Sequence, residues 1–278
     1  MMNSIGKQRR LDRIFSHTSK KIILVPLDDS LLAGPTNGLE SLAIKTQKII
    51  SASPNAIIGF QGLLKNFSNI IGQTPTILNL TASTTNIFHT NKILVGTLEL
   101  AVMLDVQAVA VHVNISSKYE SAMLKNFSEI AFECNRLGIP LMGIMYPRNE
   151  NGDGSDNNYS ELKLKERMKY AKLVAHTVRI AFELGADLVK TQYTGDSESF
   201  SIVTAACNPL PVVIAGGPQI NMIEILKIAE GAMRAGAAGV SFGRNIFSRD
   251  NPQDYINALK KVIYEQILAE EAISFYNS

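Results

Sequence analysis

Residues 184–196 read Leu184-Gly185-Ala186-Asp187-Leu188-Val189-Lys190-Thr191-Gln192-Tyr193-Thr194-Gly195-Asp196. A glycine stops a helix, a short apolar strand follows, and the strand runs straight into polar residues. The same order recurs at Ala235-Gly236-Ala237-Ala238 and, more loosely, at Leu137-Gly138-Ile139-Pro140. Working outward from this unit gives eight strand-length runs rich in Val and Ile: Ile22–Leu27, Ala56–Phe60, Thr76–Thr81, Ala108–Val113, Pro140–Tyr146, Leu188–Thr191, Pro211–Ala215 and Gly239–Phe242. Most are continuously apolar, the pattern of parallel strands buried on both faces. The third is interrupted by Asn79.

Helical spacing fills the intervals. Ser121–Leu137 sets Met123, Leu124, Phe127, Ile130 and Ala131 on one stripe, and Glu161–Leu184 reads as one long amphipathic helix. Asn221–Ala235 is a third, and Pro252 opens the last, with Asp250 or Asn251 as its N-cap. The alternation predicts an α/β fold: a single-domain (βα)₈ TIM barrel over residues 21–278, preceded by a short N-terminal arm over residues 1–20. A doubly wound open sheet shares the local pattern. The Gly-x-Gly-x-x-Gly that would favour it is missing after the first strand, where Pro26-Leu27-Asp28-Asp29-Ser30 stands.

Composition narrows the class. With 46% hydrophobic residues the chain is not a disordered tail, and no run approaches the length of a membrane span. Lys and Arg number 27 against 25 Asp and Glu, so a net charge of +2 gives no electrostatic case for nucleic acid. Met1–Arg13 is basic but lacks the apolar segment of a signal peptide, which leaves the cytoplasm as the expected location. Its Lys7, Arg9, Arg10 and Arg13 read as a solvated helix face or a subunit contact. Cys134 and Cys207 read as buried small apolar residues. His17 and His89 read as surface or loop residues, and the four histidines show no metal-ligand spacing, so no metal is expected.

In such a barrel the C-terminal strand ends line the active site. Asp28 and Asp29 follow the first strand, His112 and Asn114 close the fourth, and Tyr146 and Arg148 close the fifth. Lys190 lies within the sixth, Gly216-Gly217-Pro218 follows the seventh, and Gly243-Arg244-Asn245 follows the eighth. A lysine amine desolvated in a barrel interior is more readily neutral, and a neutral amine attacks a carbonyl to form a Schiff base. Lys190 fits that role, and it also fits a strand-end salt bridge or a phosphate contact. Tyr146 and Asp28 can handle protons, or they can be a packed phenol and a turn residue. His112 is a substrate contact or a satisfied core histidine. The paired glycines suit backbone binding of a phosphate, with Arg244 as a charged fork, or simply turns.

Several motifs together then resemble one family: Val25-Pro26-Leu27-Asp28, Gly34-Pro35, Val111-His112-Val113-Asn114, Met145-Tyr146-Pro147-Arg148, Val189-Lys190-Thr191-Gln192-Tyr193-Thr194-Gly195-Asp196, Ala215-Gly216-Gly217-Pro218 and Gly243-Arg244-Asn245-Ile246-Phe247. In this order and spacing they resemble the class I aldolases that include archaeal-type fructose-bisphosphate aldolases and aminodideoxyheptulosonate synthases. The resemblance runs roughly from Arg10 to Tyr264. It implies a (βα)₈ barrel, no cofactor beyond a covalent lysine Schiff base, and a homo-oligomer, pentamer or decamer. It implies the iminium at Lys190, acid/base work by Tyr146, proton transfer by Asp28, and phosphate binding by Gly216, Gly217, Gly243 and Arg244.

Met-Tyr-Pro-Arg and Thr-x-Tyr-Thr-Gly-Asp look most like the synthases that use L-aspartate semialdehyde. One branch takes a fragment from a deoxyketohexose phosphate toward 3-dehydroquinate and aromatic amino acids. Another joins dihydroxyacetone phosphate to the semialdehyde toward 3-amino-4-hydroxybenzoate in secondary metabolism, and Leu80-Thr81-Ala82-Ser83-Thr84 looks closer to it. The alternatives are a fructose-bisphosphate aldolase of the same family and a catalytically impaired barrel that binds sugar phosphates. The chain departs from the family at Asp29, where histidine is usual, and at Phe60-Gln61-Gly62, where His-Lys-Gly is frequent. Both changes make the mouth less positive.

Overall fold

The eight apolar runs pair side by side as parallel strands and close on themselves. The structure, a computed structural model, describes residues 4–35, 37–85 and 89–275. The strands are β1 (Ile22–Pro26), β2 (Ala56–Gly59), β3 (Thr76–Asn79), β4 (Ala108–Ile115), β5 (Leu141–Pro147), β6 (Leu188–Gln192), β7 (Val212–Ala215) and β8 (Gly239–Ser241). They follow chain order round the ring, and β1 pairs with β8 from Ile22↔Gly239 to Leu24↔Ser241. The barrel is therefore closed, and the open-sheet alternative is excluded.

A period of two is hidden inside the continuous apolar runs. Ile22, Leu24, Ala56, Ile58, Ile77, Ala110, Met142, Ile144, Leu188 and Val213 fill the barrel interior. Their neighbours Ile23, Val25, Ile57, Leu78, Val111, Val189, Ile214 and Val240 belong to the layer under the helices. Continued one step toward the C-terminal strand ends, the inward parity reaches Asn79, His112, Tyr146, Lys190 and Ser241. All five line the cavity at that end.

The first described residues form a helix, Ile5–Ile14, capped by Ser4 Oγ accepting from Lys7 N at 3.2 Å. Ile14 is fully buried against the interior cluster, a contribution of about 1.5–3 kcal/mol. Asn55 Nδ2 donates to Ile14 O at 3.0 Å. The arm thus covers the N-terminal end of the barrel. Its first three residues, like 276–278 at the other terminus, lie outside the described residues. The expectation of a solvated basic face fails at Lys7, which is 2% exposed. Its Nζ meets Asp187 Oδ2 at 2.8 Å and Asn135 Oδ1 at 2.5 Å, so a local carboxylate draws it inward.

The stop signals act as expected. Gly138 ends helix Glu120–Leu137 in the left-handed region at φ 67°, and Asn221 forms a capping box with Glu224 on helix Met222–Arg234. The long helix read over 161–184 is two helices, Ser160–Lys165 and Arg167–Glu183, broken at Glu166 with φ −135°. No proline or glycine marks the break, so periodicity cannot see it. Lys163 Nζ donates to Tyr193 O at 2.7 Å, a tertiary contact that holds the short helix to the end of β6. Helix Pro252–Ile263, with Asn251 at its N-cap position, is followed by one more, Ala269–Ser274. Cys134 and Cys207 are buried free thiols, and burial pushes them up to about 12 and about 11. No described helix is long and apolar enough to cross a membrane.

Candidate active site

Asp28, Asp29, His112, Tyr146, Arg148, Lys190, Gly216, Gly217, Gly243 and Arg244 all line one cavity at the C-terminal end of the barrel. The structure therefore brings these ten residues together, whereas Asn114, Pro218 and Asn245 do not line this cavity. Among the described residues, no group of three or more His, Cys, Asp or Glu side chains is arranged to hold a metal ion.

Lys190 sits mid-strand, in register with Ile144 on β5 and Val213 on β7, and is 8% exposed. Among the described residues it makes no ion pair. Tyr146 is in register with Asn114 on β4. The His112 ring meets the Tyr146 ring edge-on at 4.9 Å, and the Arg148 guanidinium lies over the same ring at 5.4 Å. Asp28 Oδ2 accepts from Asn79 Nδ2 at 2.8 Å, so the residue that interrupts the third apolar run orients a carboxylate of the cavity. His112 Nε2 lies 3.0 Å from Asn114 Oδ1, and burial, then Lys92 and Arg148, keep its ring far below the usual histidine range.

The loops after β7 and β8 are pinned by one side chain. Asn245 Nδ2 donates to Gly216 O at 3.1 Å and Pro218 O at 2.9 Å, and its Oδ1 accepts from Ile220 N at 2.9 Å. A Cβ on Gly216 would lie 2.9 Å from the Phe242 ring, so the close approach of the two loops requires glycine there. Gly217 has φ +68° and requires it for conformation. Arg244 is half exposed, and its Nε lies 3.6 Å from Asp29 Oδ2. Burial, reinforced by Asp28, pushes the Asp29 carboxyl above its usual range, and Arg244 pulls it back. The carboxylate that stands in place of the family's histidine thus occupies the guanidinium expected to meet phosphate.

Sequence reasoning missed the opposite side. Thr81–Ala82 pairs antiparallel with Ile93–Leu94, Ala82 opposite Ile93, so Lys92 falls opposite Ser83 and donates to its Oγ at 2.6 Å. His89 is a loop residue, but its side chain is turned in and 17% exposed, with Nδ1 3.2 Å from Lys92 Nζ and Nε2 3.0 Å from Arg148. Burial, then Lys92 and Arg148, hold His89 down to about 3, so it is neutral. Burial, then Arg148, brings Lys92 down to about 7. One signal was available: Lys92 is the sole Lys or Arg between residues 80 and 107, in a connection that leaves the active end of the barrel. Ser241 was missed as well. Its buried Oγ lines the cavity and has no hydrogen-bond partner among the described residues.

The model of the "DeoC/LacD family aldolase" matches residues 22–249. A 2-amino-4,5-dihydroxy-6-oxo-7-(phosphonooxy)heptanoate synthase of Streptomyces griseus is 34% identical over 93% of this chain and 90% of its own. A 2-amino-3,7-dideoxy-D-threo-hept-6-ulosonate synthase of Halobacterium salinarum is 32% identical over 98% of this chain and 97% of its own. Among solved structures, an archaeal fructose-1,6-bisphosphate aldolase with its catalytic Lys covalently bound to the carbinolamine intermediate of the substrate superposes with TM-score 0.80. It is 26% identical over 93% of this chain and 99% of that one. A closed parallel barrel, a buried lysine among acid and phenol at its C-terminal end, and relatives that span nearly its whole length lead to one conclusion: the chain belongs to the DeoC/LacD family of aldolases and is a class I aldolase-type carbon–carbon bond enzyme.

Proposed function

We propose that this enzyme joins dihydroxyacetone phosphate, or a fragment of a phosphorylated ketose, to L-aspartate semialdehyde through a Schiff base on Lys190. The observation that carries the reading is Lys190 itself: a buried amine making no ion pair among the described residues, in one cavity with Asp28 and Tyr146. The product name of the Streptomyces relative supports the choice of partners. A ketone at carbon 6 with hydroxyls at carbons 5 and 4 is the aldol product of a bond between carbons 4 and 5. Cutting that bond gives dihydroxyacetone phosphate on one side and a four-carbon amino-acid semialdehyde on the other.

The Lys190 amine adds to the donor ketone, forming a C–N bond, and the carbonyl oxygen takes a proton to give the carbinolamine. Loss of water leaves the iminium. The enamine then forms from dihydroxyacetone phosphate by loss of a proton from the adjacent carbon. From a longer ketose phosphate it forms by breaking the next carbon–carbon bond, with the hydroxyl beyond that bond giving up its proton and the remainder leaving as an aldehyde. That carbon attacks the aldehyde carbon, the aldehyde oxygen takes a proton, and water hydrolyses the iminium to release product and free lysine. The sequence is redox-neutral. Tyr146 and Asp28 hold and return the protons, worth about 10²–10⁴-fold for such groups. Gly216, Gly217, Gly243 and Arg244 receive the phosphate, which fixes the ketone against Lys190 and supplies proximity. Arg148 and His112 form the wall behind Tyr146. A homo-oligomer is part of the proposal, supported by exposed Ile93, Val102 and Met103.

Borohydride added with dihydroxyacetone phosphate is expected to leave a donor adduct on the peptide containing Lys190. Adding the semialdehyde to the untreated enzyme is expected to consume both compounds and give a seven-carbon amino-keto acid phosphate. No adduct with dihydroxyacetone phosphate, a deoxyketohexose phosphate or fructose 1,6-bisphosphate overturns the mechanism. Cleavage of fructose 1,6-bisphosphate without reaction of the semialdehyde replaces the proposed substrates with those of the archaeal aldolase.

A further inference from the structure

The proposed chemistry leaves Lys92 without a task, although it lies 5% exposed inside the cavity. Its position is firmly built. The hairpin register sets it across from Ser83. Asn114 Nδ2 donates to Thr90 O at 2.8 Å, and Glu150 accepts from both Thr90 Oγ1 and Ser117 Oγ. The loop carrying Lys92 is thereby tied to the ends of β4 and β5.

No carboxylate among the described residues touches its ammonium. Arg148 is already held, with Nε donating to Asn158 Oδ1 at 2.7 Å and NH1 3.7 Å from Asp156 Oδ2. Lys92 makes no ion pair among the described residues and spends its ammonium on Ser83 Oγ and neutral His89. Asp156, Asp28 and Asp29 act on Lys92 only from a distance, so its ammonium has no carboxylate in contact in a place shielded from water, and a buried charge without a direct counter-charge is unfavourable. Ring order adds direction. The β3 loop that carries Lys92 lies across the mouth from the β7 loop that carries Gly216 and Gly217, with the β8 loop and its Gly243 and Arg244 next to the latter.

We propose that Lys92, with Ser83 beside it, binds the carboxylate of the aldehyde acceptor, so that acceptor and donor enter with their anionic ends on opposite sides of the mouth. The proposal rests on the Schiff-base reading for the identity of the donor. A single ammonium with one hydroxyl suits a carboxylate, and a phosphorylated aldehyde is the competing source of negative charge.

The test compares wild type, Lys92→Met and Lys92→Arg with three acceptors: L-aspartate semialdehyde, glyceraldehyde 3-phosphate and uncharged propionaldehyde. Lys92→Met is expected to retain borohydride trapping of dihydroxyacetone phosphate at Lys190. It should raise KM for the semialdehyde about 30-fold or more, the effect of removing one partner of a buried charge pair. The rise should be absent for propionaldehyde and largely reversed in Lys92→Arg. An equal rise for all three acceptors, a rise for the phosphorylated one alone, or loss of donor trapping overturns the assignment. Calorimetric binding of the semialdehyde alone separates the two readings. Equal affinity in wild type and Lys92→Met defeats this inference, whereas failure to trap any donor in wild type defeats the chemistry at Lys190.

Discussion

Lys7 and Lys190 are both buried lysines of one barrel, at opposite ends of its axis, and they sit in opposite electrostatic surroundings. Lys7 lies beneath the barrel with Asp187 at 2.8 Å and Asn135 at 2.5 Å, and Asp187 Oδ2 also accepts from Leu141 N at 2.9 Å. Every charge there is answered. Lys190 stands three residues after Asp187 on the same segment and makes no ion pair among the described residues. Burial by itself therefore does not mark a functional lysine. A buried amine with no carboxylate in contact is free for chemistry, and a paired one holds structure.

Substitution at the two positions is expected to separate these roles. Lys190→Met should lower turnover by at least about 10⁴-fold and abolish the borohydride adduct while leaving the unfolding midpoint near that of wild type. Lys7→Met should do the reverse. It strands a buried carboxylate, which costs about 3–5 kcal/mol of stability, and it leaves trapping at Lys190 intact below the new melting temperature. Denaturant unfolding and adduct yield, measured on both variants, check the pair. Equal loss of the adduct in folded Lys7→Met would break the comparison.

Lys92 is intermediate, because its loop holds it by hydrogen bonds and not by a carboxylate. Its charge is present below about 7 and lost above it, since burial and Arg148 favour the neutral amine. Asp156, Asp28 and Asp29 oppose that loss, and neutral His89 and Ser83 complete the surroundings. For the semialdehyde, kcat/KM is therefore expected to fall above pH 7, approaching tenfold per unit. Lys92→Arg, which keeps its charge, should flatten the fall. The yield of donor adduct at Lys190 should not follow the same curve. A profile identical in Lys92→Arg would assign the titration to another group.

The same contrast explains what was legible in the sequence. The barrel was readable because buried parallel strands leave continuous apolar runs, and glycines such as Gly138 and Gly185 mark where helices stop. The catalytic end was readable because strand ends are fixed in both sequence and space, which located Lys190, Tyr146 and Asp28. Lys92 and His89 come from a long connection whose fold depends on the Thr81–Ala82 and Ile93–Leu94 pairing, and four residues of hairpin strand carry no period strong enough to read. The break at Glu166 and the burial of Lys7 were hidden for a related reason. Each is decided by a partner far along the chain, Tyr193 in one case and Asp187 in the other. Local clues were few: Asn79 is the polar residue that spoils an apolar strand, and Lys92 is the sole Lys or Arg between residues 80 and 107.

Asp29 offers the finest test, because here the fold answers a charge that the substrate also needs. Its pair with Arg244 spans 3.6 Å between side chains 32% and 53% exposed, so solvent screens it and it contributes at most about 1 kcal/mol. Asp29→Asn removes the competing carboxylate and frees the guanidinium for phosphate. The expected result is a two- to fivefold lower KM for dihydroxyacetone phosphate, about what a surface pair of that strength returns, with KM for the semialdehyde unchanged. A higher donor KM would mean that Asp29 positions Arg244 for the phosphate instead of competing with it, and the pair would then belong with Lys7 and Asp187 among the contacts that hold structure.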